Sequence, residues 1–264
     1  MAVDAQWQER IFWGQFVQVT YEMYAQNSQD PPTPDNFPAG WQRVADLQMS
    51  PKLAMLEERE FAGVLARSQA DPQQWAVIFR GTESPMDWLA DFEFKLESIN
   101  EVPNGGKTEQ GFTNLYRSVQ LVFGDGVTPT QPLLQHLDQL PQGSRLMVSG
   151  HSLGGAIATL HGFVAASKQI SVEVITFASP RVGDADFAAA FQRLVPQNTR
   201  IFNLPDIVPT VPPELAGYRH VETGVEISSL TFPVKHSIVC YHTLKTYLYV
   251  MGAQVDLGTC SAAQ

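Results

Sequence analysis

Residues 145–167 constrain this chain more than any other stretch. Arg145 to Ser149 is a short apolar strand, Gly150-His151-Ser152-Leu153-Gly154-Gly155 is a glycine-rich turn, and Leu153 to Ser167 is an apolar helix. Gly-x-Ser-x-Gly alone is expected by chance in roughly one in ten chains of this length, at about 7% per fixed residue. The flanks make it specific. A strand that delivers a serine, a sharp turn that holds it and a helix that leaves form a nucleophile elbow. A Cβ at Gly150 or Gly154 would crowd that turn. Ser152 then sits at a helix N-terminus, where the dipole favours developing negative charge, and the Leu153 amide is aimed at an oxyanion.

The elbow needs surroundings that the rest of the chain supplies. Val172 to Phe177 reads as a buried strand, Ala185 to Leu194 as a helix and Thr199 to Asn203 as another strand. Alternating strands and helices imply a mostly parallel central sheet with helices on both faces. Phe61 to Arg67 and Gln74 to Arg80 read as a hairpin around SQADPQ. Phe112 to Phe123 and Leu133 to Leu140 read as helices, His220 to Ile227 as a strand and Tyr241 to Met251 as a final helix. Near the start, residues 7–26 have helical spacing, and the Pro-rich segment QDPPTPDNFPAGW wraps the surface. With 264 residues and no long linker, one domain over 1–264 is the economical reading, residues 1–60 being a helix and Pro-rich wrap.

A serine hydroxyl needs a base, and the base needs an orienting carboxylate. In an elbow architecture the order is Ser, acid, His. Asp206, just past strand Thr199–Asn203 and held between Pro205 and Pro209, is the favoured acid. Asp184 and Asp186 compete, but they stand where a cap for the Ala185 helix belongs. Among six histidines, His151 lies inside the elbow and reads as packing behind it. His136 and His161 precede the acid, and His220 opens a strand. His242 and His236 remain. His242 is favoured, because a helix opening there buries Leu244, Tyr247, Leu248 and Met251 on one stripe.

Composition closes off other classes. With 17 Lys+Arg against 27 Asp+Glu, the net charge of −10 argues against nucleic acid and against electrostatic docking on anionic membranes. A 44% hydrophobic content excludes a mostly disordered chain. Ala156 to Ala166 is the most apolar run, and Thr159, His161 and Gly162 interrupt it far short of a transmembrane length. MAVDAQWQER carries Asp4 and Glu9 and no apolar core, so no signal peptide is expected in the chain as it stands. Two cysteines, Cys240 and Cys260, cannot build a four-cysteine zinc site. One disulfide and two free thiols are equally open.

Four segments in order give the chain a resemblance to the class 3, fungal-lipase-like branch of the α/β-hydrolases, covering about Gln74 to Met251. They are Phe79-Arg80-Gly81-Thr82 with Asp87-Trp88, the GHSLGG elbow, Thr176-Phe177-Ala178-Ser179-Pro180-Arg181-Val182-Gly183, and Asp206-Ile207-Val208-Pro209 with Tyr218-Arg219-His220. The resemblance implies an α/β-hydrolase fold, Ser152 as nucleophile, Asp206 as triad acid and Thr82 beside Leu153 as second oxyanion donor. His242-Thr-Leu244-Lys-Thr-Tyr247-Leu248 fits the family's histidine pattern, whereas His236 fits only in part. The resemblance also places a mobile lid at 84–94, through which a lipid interface would be touched. An ordinary edge helix is the alternative reading of that segment.

The expected activity is serine carboxylic-ester hydrolysis of glycerolipid acyl chains. Phospholipase A1 and feruloyl or aryl esterase activities are the alternatives, and an inactive scaffold of the same fold is the remote one. No cofactor or metal is called for, the substrate is a lipid or ester, and a monomer is expected. The chain departs from secreted fungal members in allowing at most one disulfide. That points to a bacterial or intracellular-type member and leaves the compartment open.

Overall fold

The computed structural model of the protein describes residues 4–50, 59–82, 94–125, 127–221 and 224–262. Of the expected lid at 84–94, residues 84–93 lie outside the described residues.

Three strands, β1 (Trp41–Met49), β2 (Glu60–Ser68) and β3 (Gln74–Phe79), run as an antiparallel meander. β4 (Leu96–Ser98) and β5 (Lys107–Glu109) belong to a small side sheet. β6 (Gln120–Val122) and β7 (Gln131–Pro132) extend the central sheet beyond β1, while β8 (Arg145–His151) and β9 (Ser171–Phe177) form its middle. β10 (Gly183–Asp184) and β12 (Tyr218–Arg219) complete the side sheet, and β11 (Asn198–Asn203) and β13 (Gly224–Ile227) the other edge of the central one. The central order is β13-β11-β9-β8-β3-β2-β1-β6-β7. Strands β3, β8, β9, β11 and β13 are mutually parallel, and within the sheet only β2 and β6 run against the common direction.

Both faces are covered, so β3 and β8 in the middle of the sheet are buried on both sides and carry nearly unbroken apolar runs, whereas β11 and β13 towards the edge are partly exposed. Val77 and Ile78 on β3 show the alternation, each going to a different core. On one face lie α1 (Ala5–Gln26) and α7 (Leu244–Val250), packing Phe16, Val17, Met23 and Leu248 against Ile78 and Phe177. On the other lie α2 (Gln110–Ser118), α4 (Leu153–Ser167) and α5 (Ala185–Leu194), packing Phe112, Ile157, Phe163 and Phe187 against Val77, Val148 and Val174. This is the α/β-hydrolase arrangement expected from the sequence. Among the described residues no helix is long and apolar enough to cross a membrane.

Several local readings need correction. Residues 1–60 hold more than a helix and a wrap, because β1 joins the sheet. Its pattern does not alternate cleanly, since Arg43 and Asp46 form an ion pair at 2.6 Å at the sheet margin. The helix expected over 112–123 stops at Ser118, where Val119 turns extended and Gln120–Val122 pairs with β1. That expected over 133–140 keeps only α3 (Leu133–His136). Of the strand expected over 220–227, only β13 over Gly224–Ile227 forms, His220 and Val221 lying outside it, and the short β12 before them joins the other sheet. The final helix is broken. Ser237 caps α6 (Ile238–His242), Thr243 leaves the helical region at φ −60°, ψ 138°, and its side chain accepts from the Thr246 amide to start α7.

Cys240 and Cys260 form a disulfide across 20 residues, which settles the open choice between bond and thiols.

Candidate active site

The site is assembled at the C-terminal ends of the parallel strands, where open α/β sheets place their ligands. β8 delivers Ser152 at φ 58°, a strained conformation for a side chain with a Cβ. The surroundings hold it there. The Ser152 amide donates to the Phe177 carbonyl at 2.9 Å, tying the turn to the end of β9. A Cβ on Gly150 would overlap the Gly154 carbonyl, and one on Gly154 would overlap the Arg80 carbonyl, so both neighbouring glycines are required. Leu153 opens α4, and its amide has no intrahelical acceptor.

His242, the last residue of α6, reaches both partners. Its Nδ1 lies 2.8 Å from Asp206 Oδ2 and its Nε2 lies 2.8 Å from Ser152 Oγ. A carboxylate accepts, so Nδ1 carries the hydrogen, and the bare Nε2 accepts from the serine hydroxyl. All three side chains are buried. Asp206 follows β11 and is fixed from several sides. The Val208 amide donates to its Oδ1 at 3.0 Å and the Tyr247 hydroxyl to its Oδ2 at 2.7 Å. Burial, followed by the charge of Asp206, pushes the Tyr247 phenol well above its ordinary range, which keeps it a donor. Tyr247 also accepts from the Asn203 amide at 3.0 Å, and the Asn203 side chain bonds Ser229 and the Tyr241 carbonyl. The end of β11 is thereby tied to both C-terminal helices.

Thr82 follows β3 and Gly81. It lines a cleft of about 290 Å³ with Tyr21, His151, His242 and Leu244. A Cβ on Gly81 would stand 3.0 Å from the Ser152 Cβ, so this loop lies directly against Ser152. Arg80 is structural: it donates to the Phe61 and Gly81 carbonyls at 2.6 and 2.7 Å and to Glu60 at 3.4 Å.

The competitors fall away. Asp184 caps α5 by accepting from the Phe187 amide at 2.8 Å. His236 is exposed, with its ring 5.9 Å from that of Tyr241. Sequence reasoning missed Tyr247 as more than a buried stripe residue, and it missed His151. That ring does not merely pack. It bonds the Tyr21 hydroxyl through Nδ1 at 2.7 Å and the His242 carbonyl through Nε2 at 2.8 Å. Among the described residues no three His, Cys, Asp or Glu side chains are grouped as a metal site requires.

A buried serine hydrogen-bonded to a carboxylate-oriented imidazole, at a helix N-terminus, can attack an acyl carbonyl. Comparison with known proteins places the chain in a family. The profile described as Lipase (class 3) matches residues 76–216, just over half of the chain. The chain belongs to the class 3 lipases. It is 30% identical over 220 residues to phospholipase A1-II 4 of Oryza sativa subsp. japonica, covering 75% of this chain and 54% of that one. It is 32% identical over 149 residues to a lipase of Rhizomucor miehei, covering 54% and 39%. The chain spans about half the length of the phospholipase relatives it matches. Among solved structures, a lipase from Rhizopus microsporus var. chinensis superposes with a TM-score of 0.62 at 28% identity, over 86% of this chain and 75% of that one. Lipase II from Rhizopus niveus shares the fold, with a TM-score of 0.64 at 24% identity over 91% and 94%.

Proposed function

We propose that the chain is a serine carboxylic-ester hydrolase cleaving acyl esters of glycerolipids through an acyl-enzyme. The observation that carries this reading is the His242 ring bridging Ser152 Oγ and Asp206 Oδ2 at 2.8 Å each. Ser152 Oγ attacks the ester carbonyl carbon while His242 Nε2 takes its proton. Asp206 holds the Nδ1–H tautomer and stabilises the imidazolium that forms. The Leu153 amide and Thr82 receive the oxyanion, each such donor contributing roughly 10²–10³ in turnover. His242 returns the proton to the departing alcohol oxygen. Water then attacks the acyl-serine, with the same ring as base, and releases the carboxylic acid.

Within glycerolipids, a phospholipase A1 reading is supported by the plant relatives that carry that name over 75% of the chain. Initial rates on short and long p-nitrophenyl esters, triolein and phosphatidylcholine test the assignment. Long-chain glycerolipid turnover is expected, and activity confined to short esters would sink it. The Cys240–Cys260 bond supports residence in an oxidising compartment.

A further inference from the structure

We infer that Tyr21 and His151 are positioning residues: a one-way hydrogen-bond chain running Gly81, Tyr21, His151, His242 sets the loop bearing Thr82 against the catalytic base. The inference rests on the hydrolase reading above and adds to it two residues that act through the groups they hold.

Both ends fix the direction of the chain. The Gly81 amide can only donate, and it reaches the Tyr21 hydroxyl oxygen at 2.8 Å. The His242 carbonyl can only accept, and it lies 2.8 Å from His151 Nε2, so that nitrogen bears a hydrogen. Burial, and next the neighbouring His242 charge, hold His151 well below the ordinary imidazole range. A neutral ring with its hydrogen on Nε2 has a bare Nδ1, and this accepts from the Tyr21 hydroxyl at 2.7 Å. Each group is a donor to the next, and a break at the last link takes from the buried His242 carbonyl the donor on His151 Nε2.

The chain ties together the two sides of the reaction. One end holds the backbone just before Thr82, the proposed oxyanion donor. The other holds the carbonyl of the residue whose ring moves the proton. His151 lies next to Ser152 and stacks at 4.8 Å, tilted 38°, on the His242 ring. A neutral ring there adds no positive charge against the imidazolium that forms during acylation. Tyr21 comes from α1, outside the matched residues 76–216, so the N-terminal helix becomes part of the working site rather than an appendage.

Four variants test this: Tyr21→Phe, His151→Gln, His151→Leu and the double Tyr21→Phe/His151→Leu. The readouts are kcat and KM on p-nitrophenyl butyrate, affinity for an arylboronic acid that mimics the tetrahedral state, and thermal unfolding. Misplacing groups by about 1 Å costs up to about 10²-fold. Tyr21→Phe is therefore expected to lower kcat about 10- to 100-fold with KM within threefold, and to weaken boronic acid binding by a similar factor. His151→Gln, whose amide still donates to the His242 carbonyl, is expected to retain more activity than His151→Leu. The double variant should be no worse than His151→Leu alone, because residues acting in one chain are not additive.

A kcat loss under threefold in folded Tyr21→Phe, or losses that multiply in the double variant, would overturn the inference. If the His151 variants do not fold, Tyr21→Phe decides alone, since it removes one oxygen and little volume. Ser152→Ala serves as the separate control. Full activity in that variant would overturn the hydrolase reading itself, whatever Tyr21→Phe does.

Discussion

Tyr247→Phe removes a single oxygen and cuts two bonds at once. The Asp206 carboxylate loses a donor at 2.7 Å, and the Asn203 amide loses its acceptor at 3.0 Å. Tyr247 is fully buried, so no solvent replaces either partner. A bond to a charged group contributes about 1.5–3 kcal/mol, and an orphaned buried amide costs about 1–3 kcal/mol. Asp206 keeps the Val208 amide and His242 and relaxes in part, so a net loss of about 2–4 kcal/mol is expected, a fall in Tm of roughly 5–12 °C. Asp206 Oδ2 serves both Tyr247 and His242, so the same change loosens the carboxylate that holds the His242 ring. Hydrolysis of p-nitrophenyl butyrate should fall about 10- to 100-fold in kcat, the equivalent of roughly 1.4–2.7 kcal/mol. Because burial keeps the phenol protonated far above its ordinary range, the ratio of wild-type to variant kcat should stay flat from pH 6 to about 9. A variant within twofold in kcat and with an unchanged Tm would refute the role given to this hydroxyl.

Glu109 caps α2 by accepting from the Phe112 amide at 2.8 Å, and burial pushes its carboxyl up from 4.5 to about 7. Between those values the native state binds more protons than the unfolded one, so stability declines as pH rises from about 4.5 to about 7. Glu109→Gln keeps the capping carbonyl without the charge. Its Tm advantage over wild type should therefore grow from pH 5 to pH 8, by on the order of 3 kcal/mol in stability, and a difference that stays flat contradicts this. Replacing Cys240 and Cys260 by serine opens a loop of 20 residues that begins two positions before His242 and contains it. Differential scanning calorimetry should show a loss of about 3 kcal/mol, or roughly 5–10 °C, and an unchanged Tm would deny the bond a stabilising role.

The elbow was legible because its chemistry is local. A strand, a glycine-flanked serine and a helix must be contiguous, and helices Leu153–Ser167 and Ala185–Leu194 are found at their expected limits. Asp206 was legible for the same reason, as a carboxylate in a proline-held loop at a strand end. β1 was not, because Arg43 and Asp46 interrupt its alternation, and their ion pair and the bonds from Arg43 to Pro31 and Thr33 form only in the fold. The break at Thr243 was hidden in a run that reads as one helix, although it is what places His242 at a helix end facing Ser152. Least legible of all was the contact between Tyr21 and His151. They stand 130 positions apart, and no local pattern joins a tyrosine on an N-terminal helix to a ring beside Ser152.

The central claim is that Ser152 is a nucleophile made reactive by His242. Intact-protein and peptide mass spectrometry after treatment with a long-chain p-nitrophenyl phosphonate tests it most directly. A single adduct on Ser152 is predicted in the folded protein, slowed by several orders of magnitude in His242→Ala and little changed in His236→Ala. An unlabelled Ser152, or labelling that survives in His242→Ala but not in His236→Ala, would contradict the account.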